Sequence, residues 1–173
     1  DMHQLYVTAY EQQILRQDAE LRALQMQINP HFLYNTLDTI NWKARFSGVD
    51  DVGDMAYCLG CLLRHSLAPG DFTVLSKEIA SLEYYLKIQN YRYSDRLTTT
   101  LDIDPSFRNM DIPKLLIQPI VENAMIHGLV DCDNGTIHVK IHRLETQGFL
   151  CIEVTDHGCG ISDEVLKCLN SRD

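Results

Sequence analysis

The sequence has no long hydrophobic run. A membrane helix needs about 20 consecutive apolar residues, and the best candidate among these 173 residues, LLIQPIVENAMI, is short and broken by Gln118, Pro119, Glu122 and Asn123. The N-terminal stretch DMHQLYVTAYEQQ lacks the basic and apolar regions of a signal peptide. The chain as written is therefore expected neither to cross a membrane nor to be exported. Clusters of lysine and arginine are missing too, and the formal charge is −9, which excludes nucleic-acid binding through phosphate contacts. Phosphate chemistry here must rest on backbone amides or a metal ion. Cysteine occurs six times, at 58, 61, 132, 151, 159 and 168, but Cys58 and Cys61 have no matching second pair, so neither a zinc nor a disulfide framework is expected. Buried, reduced thiols fit a cytosolic setting. With 45% hydrophobic and 23% charged residues, what remains is the composition of an ordered globular protein.

Two periodicities divide the chain. Val7, Tyr10, Ile14, Gln17, Leu21, Leu24 and Ile28 fall on alternating a and d heptad positions, with Gln17 the polar member; this predicts a leading helix, either a two-stranded coiled coil or a plain amphipathic one. A helix then continues to about Arg45. A second spans about Val52 to Leu67 and stops at Pro69-Gly70, and a third starts near Ser76 without a full capping box. In that third helix Glu78, Glu83, Lys87 and Arg92 alternate with Leu82, Leu86 and the tyrosines. After Arg96 the spacing changes to every second residue: Leu97, Thr99, Leu101 and Ile103, then Ile137, Val139 and Ile141, then Leu150, Ile152 and Val154. These predict three strands around one apolar helix from about Pro113 to Gly128. The expected fold class is α+β, with helices over residues 1–93 and an α/β sandwich over residues 94–173.

Three constellations carry chemistry. On a helix running to Arg45, His31, Asn35 and Asp38 share one stripe and Leu33, Leu37 and Ile40 the opposite, inward one. His31 is then exposed, with an amide at i+4 and a carboxylate at i+7 able to orient its ring; a merely solvated histidine is the plainer alternative. Pro30 is expected to kink the helix beside it. The apolar helix KLLIQPIVENAMIHG carries Gln118, Glu122, Asn123 and His127, and buried polar groups left unpaired cost roughly 1–3 kcal/mol each. They mark either a helix end in solvent or a polar pocket for a charged ligand or a metal. In VTDHGCGIS, Asp156 shares the phase of Ile152 and Val154, while Gly158 and Gly160 allow a sharp turn and close approach to a ligand.

Taken in order, PHFLYN, QPIVENAMIHG and DHGCGIS resemble the H-box, N-box and G1-box of the LytS/YesM-type sensor histidine kinases, a bacterial two-component family. LSKEIASLEYYLKIQNYRYSDRL resembles that family's connector between its two domains. The resemblance implies a dimerisation and phosphotransfer domain, in which two hairpins of a homodimer form a four-helix bundle and His31 is the phospho-acceptor. It implies a following ATP-binding domain of the Bergerat fold shared with gyrase and MutL, in which Asn123 holds Mg²⁺ and Asp156 accepts the adenine amino group, with His127, Gly158 and Gly160 beside them. Phosphate would pass from ATP to His31 and on to an aspartate in the receiver domain of a response regulator. Asn35, Asp38 and Glu122 are candidate helpers; Phe32 stands where many other histidine kinases carry an acidic residue, which leaves the base open between Glu122, Asp38 and none. No GxGL motif, ATP lid or closing strands follow before Asp173. The expectation is a cytoplasmic fragment of a receptor tethered to the membrane only through segments absent here, dimerising through residues 1–67 and binding ATP weakly or not at all. The alternative is a non-catalytic dimeric signalling module; a Bergerat ATPase without histidine phosphorylation conflicts with PHFLYN.

Overall fold

The computed structural model describes Gln13 and residues 29–93, 97–128, 135–144 and 149–158. The heptad positions Val7, Tyr10, Ile14, Gln17, Leu21, Leu24 and Ile28 lie outside them. The first helix, α1 (Pro30–Phe46), starts because Asn29 is its N-cap: the Asn29 Oδ1 accepts from the His31 and Phe32 amides at 3.1 and 3.2 Å. Pro30 occupies the first helical position, where no N–H is needed and its fixed φ suits the helix. The expected kink is therefore corrected; among the described residues Pro30 begins a helix and bends none. At the other end Gly48, at φ 72°, closes the helix with its amide on the Arg45 carbonyl and the Val49 amide on the Ala44 carbonyl, a left-handed cap that suits glycine.

That cap turns the chain directly into α2 (Asp50–Leu67), which opens with Asp50 and Asp51 and closes with Arg64 and His65, matching the helix dipole at both ends. The two helices approach closely at Gly53, where a Cβ would meet Asn41 Oδ1 and Arg45 Cγ at 3.1 Å. A short strand β1 (Phe72–Val74) leads into α3 (Leu75–Tyr93), followed by β2 (Leu97–Ile103), a single turn at Pro105–Phe107, β3 (Asp111–Pro113), α4 (Gln118–Gly128), β4 (Gly135–Arg143) and β5 (Leu150–Asp156). The main sheet has the order β2-β4-β5, with β2 parallel to β4 and β4 antiparallel to β5. Ile137, Val139 and Ile141 of β4 are fully buried against Leu75, Leu82 and Leu86 of α3 and Val121 and Met125 of α4. Burial on that scale stabilises by roughly 1.5–3 kcal/mol per large side chain. The helical part followed by an α/β sheet is the fold class the sequence implies.

The helix α3 faces two ways, which is what a connector requires. Toward the sheet it sends its leucines; toward α2 it sends Lys87, whose Nζ donates to Asp54 Oδ2 at 2.6 Å, and Tyr84, whose ring meets Tyr57 edge-on at 6.0 Å. Asp54 also accepts from Arg45 of α1 at 2.7 Å, so one carboxylate clamps three helices.

The start of α4 departs from the sequence reading, which placed it near Pro113. Residues 111–113 form β3 instead, paired antiparallel with β1, and Leu115 has φ 54°, a conformation that no α-helix continues through. The helix begins at Gln118, with Pro119 in its first turn. The amides just ahead of it are held from across the fold: Leu115 N–H donates to Glu78 Oε2 at 3.2 Å and Ile117 N–H to Glu78 Oε1 at 3.3 Å. Glu78 is 2% exposed, and His65 Nε2 lies 2.8 Å from its Oε2.

Candidate functional site

His31 lies in the first turn of α1 and is exposed. Its Nδ1 is 3.2 Å from the Asn35 side-chain amide, one turn along, so the i+4 spacing does what the helical phase implies. Asp38, on the same stripe, makes an ion pair with Arg64 of α2 at 3.5 Å. The Arg64 guanidinium also lies over the Tyr34 ring, 5.4 Å from its centroid, and the Tyr34 hydroxyl donates to the Leu63 carbonyl at 3.3 Å. Exposed pairs of this kind stabilise by about 0–1 kcal/mol; what they do here is fix the His31 turn against the end of α2. Leu33 and Leu37 are half-buried as expected, but Ile40 is 41% exposed. The inward placement of Ile40 is thus corrected. Against α2 this helix buries a narrow stripe, of which Ala44 is the one buried member among the described residues.

Asn123 is exposed on α4, and Asp156 is exposed at the end of β5. Asp156 pairs with Ile137, as Val154 pairs with Val139 and Ile152 with Ile141, so it lies on the core-facing side of the sheet, in the predicted phase. Its Oδ1 accepts from the Gly158 amide at 3.1 Å, which forms the turn the glycines announce. The helix α4 packs on β4 and β5, making the carriers of Asn123 and Asp156 neighbours. Glu122 is half-buried, and its Oε1 accepts from Gln118 Nε2 at 2.8 Å. Burial, with the Glu122 charge adding to it, pushes the Tyr85 phenol up to about 12. The backbone of His127 belongs to α4; its side chain and Gly160 lie outside the described residues. Among the described residues one group of three metal-capable side chains occurs, His142, Cys151 and Glu153, with ligand atoms within 4.8 Å of one another. The strand register puts it on the opposite face of the sheet from Asp156.

Sequence reasoning missed Glu78 and His65. Glu78 was read among the polar positions of α3, yet it is buried on the leucine side. The available signal was phase: Glu78 lies three residues after Leu75 and four before Leu82, on the apolar stripe of its own helix.

Comparison with known proteins agrees with this geometry. Residues 19–97 match the family "Histidine kinase", and residues 110–172 match "Histidine kinase-, DNA gyrase B-, and HSP90-like ATPase". The chain is 38% identical over 163 residues to the sensor histidine kinase YesM of Bacillus subtilis, covering 94% of this chain and 28% of that protein. It is 38% identical to the sensor histidine kinase YpdA of Escherichia coli, over 95% of this chain and 29% of the relative, and 35% identical to the sensor protein LytS of Staphylococcus saprophyticus, over 91% and 27%. The chain belongs to the sensor histidine kinases. It spans less than a third of the length of these curated relatives. As a sensor histidine kinase segment it pairs a helical hairpin carrying the H-box with a sheet domain of the ATPase family. No helix among its described residues is long and apolar enough to cross a membrane.

Proposed function

We propose that this sequence is the phosphotransfer and ATP-binding part of a longer sensor kinase that moves the γ-phosphoryl group of ATP to His31 and then to an aspartate on a response regulator. The observation that carries the reading is the exposed His31 ring with Nδ1 engaged by Asn35. An amide can turn either its NH₂ or its carbonyl to Nδ1. With the carbonyl there, the proton resides on Nδ1 and the Nε2 lone pair faces solvent, ready to form the N–P bond while the bond to the departing ADP oxygen breaks. Asn35 is then a positioning residue that sets the tautomer, and Asp38, already paired with Arg64, holds the helix. Neutral imidazole needs no base to attack.

The residues of the second half fit a nucleotide and its metal. Asn123 offers an exposed amide oxygen, a hard donor suited to Mg²⁺, and Asp156 spends one oxygen on Gly158 while its carboxylate remains exposed to accept from an exocyclic amine. When bound, Mg²⁺ supplies the positive charge that an acidic chain lacks. The hairpin also presents Phe32, Trp42 and Phe46, 66%, 76% and 95% exposed, a surface that a second hairpin would cover in a four-helix bundle; the reading includes a homodimer. The test uses the full-length kinase carrying this sequence and ATP radiolabelled at the γ-phosphate. Label should enter the native protein and be lost in His31→Gln and in Asn123→Ala. Undiminished labelling of His31→Gln refutes the phospho-acceptor; no label in the native protein favours a non-catalytic signalling module.

A further inference from the structure

The polar cluster around Glu78 lies outside the H-box and the nucleotide residues, yet it touches the supports of both. Three donors converge on one buried carboxylate: His65 Nε2 at 2.8 Å, Leu115 N–H at 3.2 Å and Ile117 N–H at 3.3 Å. They come from different parts of the chain. His65 is in the last turn of α2, Glu78 in the first turn of α3, and Leu115 and Ile117 stand immediately ahead of α4. The His65 and Glu78 side chains are 11% and 1% exposed, so water cannot replace these bonds cheaply. The start of α3 carries a carboxylate, the charge its dipole favours.

The same junction is tied a second time. The Lys114 ammonium donates to the Ala68 and Pro69 carbonyls, and its amide donates to the Asp71 carbonyl at 2.9 Å. The residues just before His65 are in turn those that hold the His31 turn: Leu63 accepts from Tyr34, and Arg64 pairs with Asp38. A contiguous set of contacts thus runs from the turn of His31, through the end of α2, to the residues that lead into the helix carrying Asn123.

We infer that His65 and Glu78 are positioning residues that fix the start of α4, and with it Asn123, relative to the His31 hairpin. The inference rests on the kinase reading for its catalytic consequence, but the coupling itself does not. Glu78 holds the two amides that lead into α4, and His65 transmits the position of α2 to that carboxylate. Spatial contiguity alone does not establish coupling, so the test reads it directly. In hydrogen–deuterium exchange of the full-length protein, His65→Ala should speed exchange of the Leu115 and Ile117 amides about tenfold, although residue 65 bonds to neither of them. His65→Gln, which keeps an N–H donor at about the reach of Nε2, should restore slow exchange. Unchanged exchange in His65→Ala, or failure of the glutamine to restore it, overturns the coupling. A second arm tests the consequence. In His65→Ala the autophosphorylation rate at saturating ATP should fall about tenfold while the ATP concentration for half-maximal rate moves by less than about twofold. An unchanged rate, or a loss confined to ATP affinity, overturns the positioning role. Absence of label in the native protein would sink the kinase reading while leaving the exchange result to stand.

Discussion

His31 gives one ring nitrogen to Asn35 and turns the rest of the ring to solvent, and the chemistry proposed for it depends on that division. Replacing Asn35 by alanine removes the group proposed to set the tautomer, so the autophosphorylation rate should drop by about tenfold, while the melting transition moves by no more than an exposed substitution usually causes, about 0.5 kcal/mol. Initial rates and a thermal melt on the same preparations check both halves; an unchanged rate removes Asn35 from the mechanism. At this scale the sequence was most legible where helical or strand phase decides the answer. His31, Asn35 and Asp156 face where their phase puts them. Pro30 and Glu78 were misread for one shared reason: each is satisfied by a partner that the period does not show, the Asn29 cap in one case and the amides ahead of α4 in the other.

Among the elements, the three helices meet at Asp54, with Lys87 and Arg45 each on one of its oxygens. The hydrogen bond from Lys87, aided by the charges of Lys87 and Arg45, holds its carboxyl below the usual 3.8. A group whose pKa is depressed by folding contributes stability that is present above its unfolded value and disappears as pH falls through the folded one. The clamp is therefore intact at neutral pH, begins to weaken as pH falls below about 4, and is lost as pH falls through the lower folded value. In urea unfolding, the native protein should lose more of its midpoint between about pH 7 and pH 3 than Asp54→Asn does; equal losses would show that the clamp contributes nothing. The long elements were readable because each repeats its pattern several times. The strands β1 and β3 were not, being three residues each. They exist because they pair with one another across a distance in sequence that no local pattern spans, and that pairing, with the left-handed Leu115, is what delays the start of α4.

At the level of the whole molecule, a hairpin with apolar side chains exposed among the described residues is joined to a three-stranded sheet through α3, which carries contacts to both. The fold class and the order of the three motifs could be read in advance because they depend on period and composition. The junction could not, since its parts, residues 65, 78 and 115–117, are brought together only by the tertiary structure. Everything proposed about function turns on phosphate reaching the imidazole of His31. The most direct measurement is to incubate the full-length kinase with ATP and Mg²⁺, digest it at alkaline pH, and locate the phosphate by mass spectrometry before and after brief acid treatment. The account predicts phosphate on the peptide containing PHFLYN, assigned to His31, stable in alkali and lost in acid. Phosphate on a serine, threonine or tyrosine, or on a histidine other than His31, would contradict it.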